Sequence, residues 1–260
     1  MKSRWLRASG LVFCVGMLGG CSCPGDEAKP ASSDGSKPTA SGPAAGGNAA
    51  GLRDTDDEAV ERHKCTPKGH SVLDIGKHPQ EARTWCWAAV GQTVMEYKSK
   101  RKFPQSLLAS ERYQATPEQC ACKACQLDQP KPADCDVDPS CDKETGGLPP
   151  LKAKGFTFEP RASDNLLKPE EWKKQLSVAP CIDSPVVALR ETSARGRHAV
   201  TVYGYETIGN ELWLWVFDPA GAAGECCGSQ TMLVHHTEFA KDDEFRTYEE
   251  YASIREEGSI

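Results

Sequence analysis

The pattern of apolar and polar positions divides the chain into a short apolar leader, a long stretch of small residues, and a globular part. Leu11 to Leu18 is apolar but too short to cross a bilayer as a permanent helix. From Pro24 to Leu52, 21 of 29 residues are Gly, Ala, Pro or Ser and none is aromatic. Such a stretch cannot bury enough surface to offset its ordering entropy, and it reads as a flexible tether. A charged run from Arg53 to Arg62 follows, and globular composition begins near Lys64. Within the globular part, Trp87, Val90, Val94 and Tyr97 recur at helical spacing and predict a helix over residues 86–99. A second helix is expected over 106–115, and residues 116–147 read as loop. Leu148 to Lys154 suggests a short helix ended by Gly155. Lys168-Pro169-Glu170-Glu171-Trp172 opens another helix, with proline and acids suited to a first turn. Three strands are expected next, Pro185 to Arg190, His198 to Glu206 and Glu211 to Phe217. Phe245, Tyr248, Tyr251 and Ile254 stand at steps of three and predict a terminal helix. Helical signals first and strands afterwards make the fold class α+β.

Composition adds a compartment. The chain has 260 residues, 31 Lys and Arg against 37 Asp and Glu, and 13 cysteines. A net charge of −6 and a pI near 5.6 argue against a general surface for nucleic acid or anionic membrane. Lys2, Arg4 and Arg7 precede the apolar run, which marks it as an export signal over residues 1–20. It closes on Leu18-Gly19-Gly20-Cys21, which resembles the lipobox of bacterial lipoproteins, in which the cysteine becomes the acylated N-terminus. An ordinary signal peptide with an incidental cysteine is the alternative. Acyl chains on Cys21 would hold the protein at the bacterial cell envelope by methylene burial. Loss of the leader takes the net charge from −6 to −9. The expected organisation is therefore signal 1–20, tether and charged linker 21–63, and one domain, 64–260, carrying a cysteine-rich insert at 116–147.

The candidate chemistry lies in that domain. Cys86 opens a predicted helix, where unpaired N–H groups and the helix dipole favour a thiolate. Gln80, just before it, can offer a side-chain amide to an oxyanion, with the Cys86 N–H as second donor. Strands His198–Glu206 and Glu211–Phe217 are separated by the turn signal Thr207-Ile208-Gly209-Asn210. A turn centred on Gly209 sets His198 opposite Ala220, with Asp218 diagonal on the same face, and a one-residue slip would separate the pair. An imidazole held by a carboxylate keeps its tautomer and can pair with a thiolate. Each residue has a structural alternative: Cys86 a buried cysteine, Trp85 and Trp87 plain core, His198 a strand-end histidine, Asp218 before Pro219 a turn former. His235 and His236 are weaker candidates for the base, because no strand-end carboxylate follows them in the same arrangement.

Together, Gln80, Trp85-Cys86-Trp87-Ala88-Ala89, Arg197-His198-Ala199-Val200, Gly204-Tyr205 and Phe217-Asp218-Pro219 resemble the papain-like cysteine peptidases. The WCWAA form, the compact length and the Asp-Pro pair are similar to the short bacterial branch of secreted and effector proteases. The likeness runs in order from about residue 78 to 220. The resemblance implies a papain-like fold, with an N-terminal helical part carrying the nucleophile and a C-terminal antiparallel sheet carrying histidine and aspartate. It implies Cys86 as nucleophile, His198 as general base and then acid, Asp218 as orienter and Gln80 in the oxyanion hole. The reaction implied is hydrolysis of a peptide or protein substrate through a thioester, without metal or organic cofactor and without nucleic acid. A monomer is expected. Two other functions use the same residues: a binding module that keeps the fold without turnover, and a thiol amidase or transpeptidase acting on cell-wall peptides.

The remaining cysteines carry a second expectation. An exported protein meets an oxidising space, so Cys65, Cys120, Cys122, Cys125, Cys135, Cys141, Cys181, Cys226 and Cys227 are candidates for disulfides. The alternative is a zinc site at Cys120, Cys122, Cys125, Cys135 and Cys141, although their spacing lacks the paired CxxC form. Connectivity is not deducible from spacing. Cys86 is expected to keep its thiol.

Overall fold

The computed structural model describes residues 65–123, 137–143, 148–192, 196–220, 226–241 and 245–258. The expected signal peptide, Cys21, the tether, Cys125 and Cys135 lie outside the described residues.

The described part is a mixed helical and antiparallel β-structure. Its strands are β1 (His70–Val72), β2 (Phe156–Ala162), β3 (Val186–Thr192), β4 (Gly196–Ile208), β5 (Glu211–Asp218), β6 (Gln230–His235) and β7 (Phe245–Glu256). They form one sheet in the order β2-β7-β3-β4-β5-β6, with β1 paired to β4 beyond the end of β3. The helices are α1 (Cys86–Ser99), α2 (Gln105–Tyr113), α3 (Pro169–Leu176) and α4 (His236–Ala240), with a 3-10 turn at Lys152–Lys154.

Helix α1 is buried on every side from Trp87 to Met95, the mark of a central helix. It ends at Lys100, which is left-handed and donates its N–H to Glu96 O at 2.9 Å. Trp87, Val90 and Val94 pack with Leu189, Tyr251 and Ile254 of the sheet. A second core, formed by Trp172 and Leu176 of α3 and Phe239 of α4, packs with Val200, Val202, Leu214 and Val216. Packing on both faces explains why the central strands read as nearly continuous apolar runs. Helix α3 starts at Pro169, where Glu171 accepts the N–H of Lys168 at 2.9 Å.

The β4–β5 hairpin differs from expectation in a way that bears on the site. Ile208 faces Glu211 across a two-residue loop, in which Gly209 and Asn210 both have positive φ (58° and 71°). The turn is thus centred between Gly209 and Asn210 rather than on Gly209. Carried down the hairpin, that register alone would set Asp218 opposite Thr201 and separate it from His198. A bulge between Val202 and Gly204 removes the offset by placing Tyr203 as an extra residue on β4. Thr201 therefore faces Phe217, and the continued register returns Asp218 to the face of His198. Strand β1 holds the bulge from the other edge, with Leu73 N–H donating to Tyr203 O at 2.8 Å.

The expected terminal helix is instead strand β7, between β2 and β3. Its pairing shifts by one residue twice, against Leu189/Arg190 and against Thr157/Glu159. Each bulge adds one residue to the two-residue repeat of a strand, which locally imitates the three-residue step of a helix. Tyr251 and Ile254 are buried in the core as the spacing suggested, on a different backbone.

At Gly204, which faces Val72, an added Cβ would stand 2.8 Å from Ser71 O and 3.0 Å from Val72 Cα, both backbone atoms. Gly204→Ala is expected to destabilise the protein by about 1–3 kcal/mol in urea unfolding. A midpoint equal to that of the wild type would show that β1 does not brace the bulge.

Candidate active site

The segment that delivers Cys86 is anchored at both ends. Gln80 N–H donates to Pro219 O at 2.8 Å, and Gln80 O accepts the N–H of Cys227 at 2.7 Å. Glu81 N–H donates to Gln105 Oε1 at 3.0 Å, which ties the segment to the start of α2. Nearer Cys86, Asp142 Oδ1 accepts from both Thr84 N–H (3.1 Å) and Thr84 Oγ1 (2.7 Å). Trp85 is fully buried, and its Nε1 donates to Cys141 O at 2.7 Å. Trp85 occupies the N-cap of α1 and offers no side-chain cap. The N–H groups of Ala88 and Ala89 donate to Trp85 O, at 2.9 and 3.0 Å, and no side chain caps those of Cys86 and Trp87.

Cys86 is a half-buried thiol outside any disulfide. Burial alone would push its thiol up. A hydrogen bond and positive charge from His198, with the N–H groups of Ala199 and Trp87, outweigh burial and hold it below the ordinary value. His198 Nε2 meets Asp218 Oδ1 at 2.7 Å. With Nε2 occupied by the carboxylate, Nδ1 is the nitrogen left for the Cys86 sulfur. Burial opposes the imidazolium, but Asp218 and Cys86 raise its pKa to about 10. Asp218 also accepts Ala220 N–H at 2.9 Å on Oδ1 and Gln230 Nε2 at 3.3 Å on Oδ2. Desolvation is outweighed there by His198 and these donors, so the carboxyl sits below its usual range. The result is a continuous line of contacts, sulfur to imidazole to carboxylate, of the kind suited to nucleophilic attack and proton return.

Three of the four predicted site residues, Cys86, His198 and Asp218, thus come together. Gln80 is buried at the start of the same segment, and its Nε2 donates to Arg83 O at 3.1 Å while Oε1 has no partner among the described residues. His235 and His236 lie at the junction of β6 and α4, where His235 Nδ1 meets Thr237 Oγ1 at 2.7 Å. Sequence reading missed Gln230, whose strand carries no clear apolar alternation, and Asp142, whose partner lies 58 residues away. It also missed Arg112, whose guanidinium stacks 3.6 Å from the centre of the Trp87 ring and donates to Leu148 O at 2.6 Å.

The cysteines divide. Cys65 pairs with Cys181 and Cys120 with Cys141. Cys226 and Cys227 are each disulfide-bonded. Cys122 is buried, and its Sγ lies 4.0 Å from Cys227 Sγ. A disulfide between Cys120 and Cys141 withdraws both from any thiolate cluster, which removes the zinc alternative in the form stated. Among the described residues no group of three His, Cys, Asp or Glu could hold a metal ion.

No family model matches the sequence, and no curated protein matches it. Among solved structures the chain is similar to digestive procathepsin L 3 of Tenebrio molitor larval midgut, at 10% identity and a TM-score of 0.39 over 74% of this chain and 71% of that one. It is also similar to a recombinant stem bromelain precursor, at 10% identity and a TM-score of 0.35 over 77% of this chain and 73% of that one.

Two outcomes are expected. Alkylation of Cys86 should stay fast at pH values well below the titration of a free thiol, because the imidazolium keeps the sulfur ionised. A rate that rises only through about pH 8.5 would mean that no ion pair exists in solution. Removing the Cys120–Cys141 disulfide by a Cys120→Ser, Cys141→Ser double substitution should cost about 3 kcal/mol of stability. It should also slow Cys86 alkylation in protein that remains folded by circular dichroism, since Cys141 O and Asp142 hold Trp85 and Thr84.

Proposed function

We propose that the protein is an exported, lipid-anchored cysteine peptidase of papain-like arrangement, acting through Cys86, His198 and Asp218. The observation that carries this reading is the continuous contact from the Cys86 sulfur through His198 to Asp218, made between the start of α1 and a hairpin distant from it in sequence. A structural histidine needs neither a thiol on one nitrogen nor a carboxylate on the other. A half-buried thiol held below its ordinary pKa at a helix N-terminus is the arrangement that makes a nucleophile.

In the proposed reaction the Cys86 thiolate attacks a peptide carbonyl carbon and forms a C–S bond. The Cys86 N–H and the amide of Gln80 receive the developing oxyanion. His198 delivers its Nδ1 proton to the leaving amine as the C–N bond breaks. It then takes a proton from water, whose oxygen attacks the thioester and releases the carboxylic acid and the thiolate. No cofactor enters these steps. Acylated Cys21, at the end of the 21–63 tether, would hold a monomeric domain at the bacterial envelope with reach toward peptide substrates.

The test is labelling with a peptidyl epoxysuccinate or vinyl sulfone, followed by peptide mapping. Modification is expected at Cys86, reduced about 100-fold or more in His198→Ala and retained in weakened form in Gln80→Ala. Labelling spread over several cysteines and indifferent to His198 would leave the chain as a binding module.

A further inference from the structure

An aspartate at the end of the relay differs from a neutral amide there in one respect. Both of its terminal atoms are acceptors, and only one can face the imidazole. Asp218 Oδ1 carries two donors, His198 Nε2 at 2.7 Å and Ala220 N–H at 2.9 Å. The second oxygen, on a residue only 8% exposed, receives Gln230 Nε2 at 3.3 Å. This contact follows from topology. The β5–β6 pairing runs without a shift from Trp213 opposite His235 to Asp218 opposite Gln230, so the two side chains are direct cross-strand neighbours on one face. The donor is a neutral amide rather than a lysine or arginine. A cation there would compete with the imidazolium for the carboxylate charge, whereas an amide fixes the carboxylate plane and leaves its charge to His198.

We propose that Gln230 is a positioning residue for the relay: by holding Asp218 Oδ2 it keeps Oδ1 in line with His198 Nε2 and Nδ1 aimed at Cys86. The proposal rests on the peptidase reading above and assigns the residue that stabilises one ionised orientation of Asp218.

The experiment compares Gln230→Glu and Gln230→Leu, each in the natural and in an Asp218→Asn background, by the pH profile of Cys86 alkylation and by kcat and KM on a peptide substrate. Gln230→Glu keeps the shape but sets an acceptor against an acceptor. It is expected to lower kcat about 10-fold at pH 7 with KM unchanged. That loss should recover toward pH 5, as a proton shared between the two carboxyls restores the missing donor. Gln230→Leu is expected to lose a similar factor without the recovery. In the Asp218→Asn background the Gln230→Glu loss should vanish, because the asparagine amide can donate to the glutamate. A loss of equal size in both backgrounds, or a Gln230→Glu profile identical to that of the natural protein, overturns the proposal. Failure of the peptidase reading is separately visible, as Cys86 reactivity in the natural chain that ignores His198→Ala.

Discussion

The register of β4 against β5 is the constraint on which the rest of the site depends. His198 and Asp218 lie on neighbouring antiparallel strands, and a strand presents alternate residues to opposite faces. An offset of one residue would leave a half-buried imidazole without its carboxylate and a carboxylate of 8% exposure without its strongest partner. The two-residue turn at Gly209-Asn210 produces that offset, and the bulge at Tyr203 cancels it. The bulge in turn needs Gly204, where β1 approaches too closely for a Cβ, and needs the Leu73 N–H on the Tyr203 carbonyl. Three local features, spread over β1, β4 and the hairpin turn, thus converge on one contact of 2.7 Å.

The sulfur reaches that contact by a different route. Helix α1 is buried on all sides, so its N-terminus cannot shift without disturbing the core. The segment before it is held by polar straps: Pro219 and Cys227 on Gln80, Gln105 on Glu81, and Asp142 and Cys141 on Thr84 and Trp85. Three of these straps, from Cys227, Cys141 and Asp142, come from disulfide-bonded segments, so disulfides here brace the approach to Cys86 as well as the body. Placing Cys86 beside His198 then changes both groups. The imidazolium lowers the thiol, and the sulfur and Asp218 together raise the imidazole, so each group holds the other in its charged form.

Several elements were legible in the chain because they follow from nearest-neighbour patterns. Trp87, Val90, Val94 and Tyr97 mark α1, and the helix begins at Cys86. Pro169 with Glu170 and Glu171 marks the start of α3, and the runs around Val186, Val202 and Val216 mark the central strands. The tail misled because two bulges turned a strand repeat into a three-residue step at Tyr248, Tyr251 and Ile254. Gln230 and Asp142 left no local signal, since each matters only through a partner on a distant element.

By itself, the sequence determined the types of groups present, the helix that opens on Cys86, and the strands that carry His198 and Asp218. Those follow from side-chain chemistry and short-range periodicity. The tertiary structure alone decided how the histidine and the aspartate come to share a face, by a shifted turn and a compensating bulge, that Gln230 meets the second carboxylate oxygen, and which cysteines bond. These depend on bulges and on long-range pairing, where one residue more or less reverses every side chain and no neighbour along the chain records the outcome.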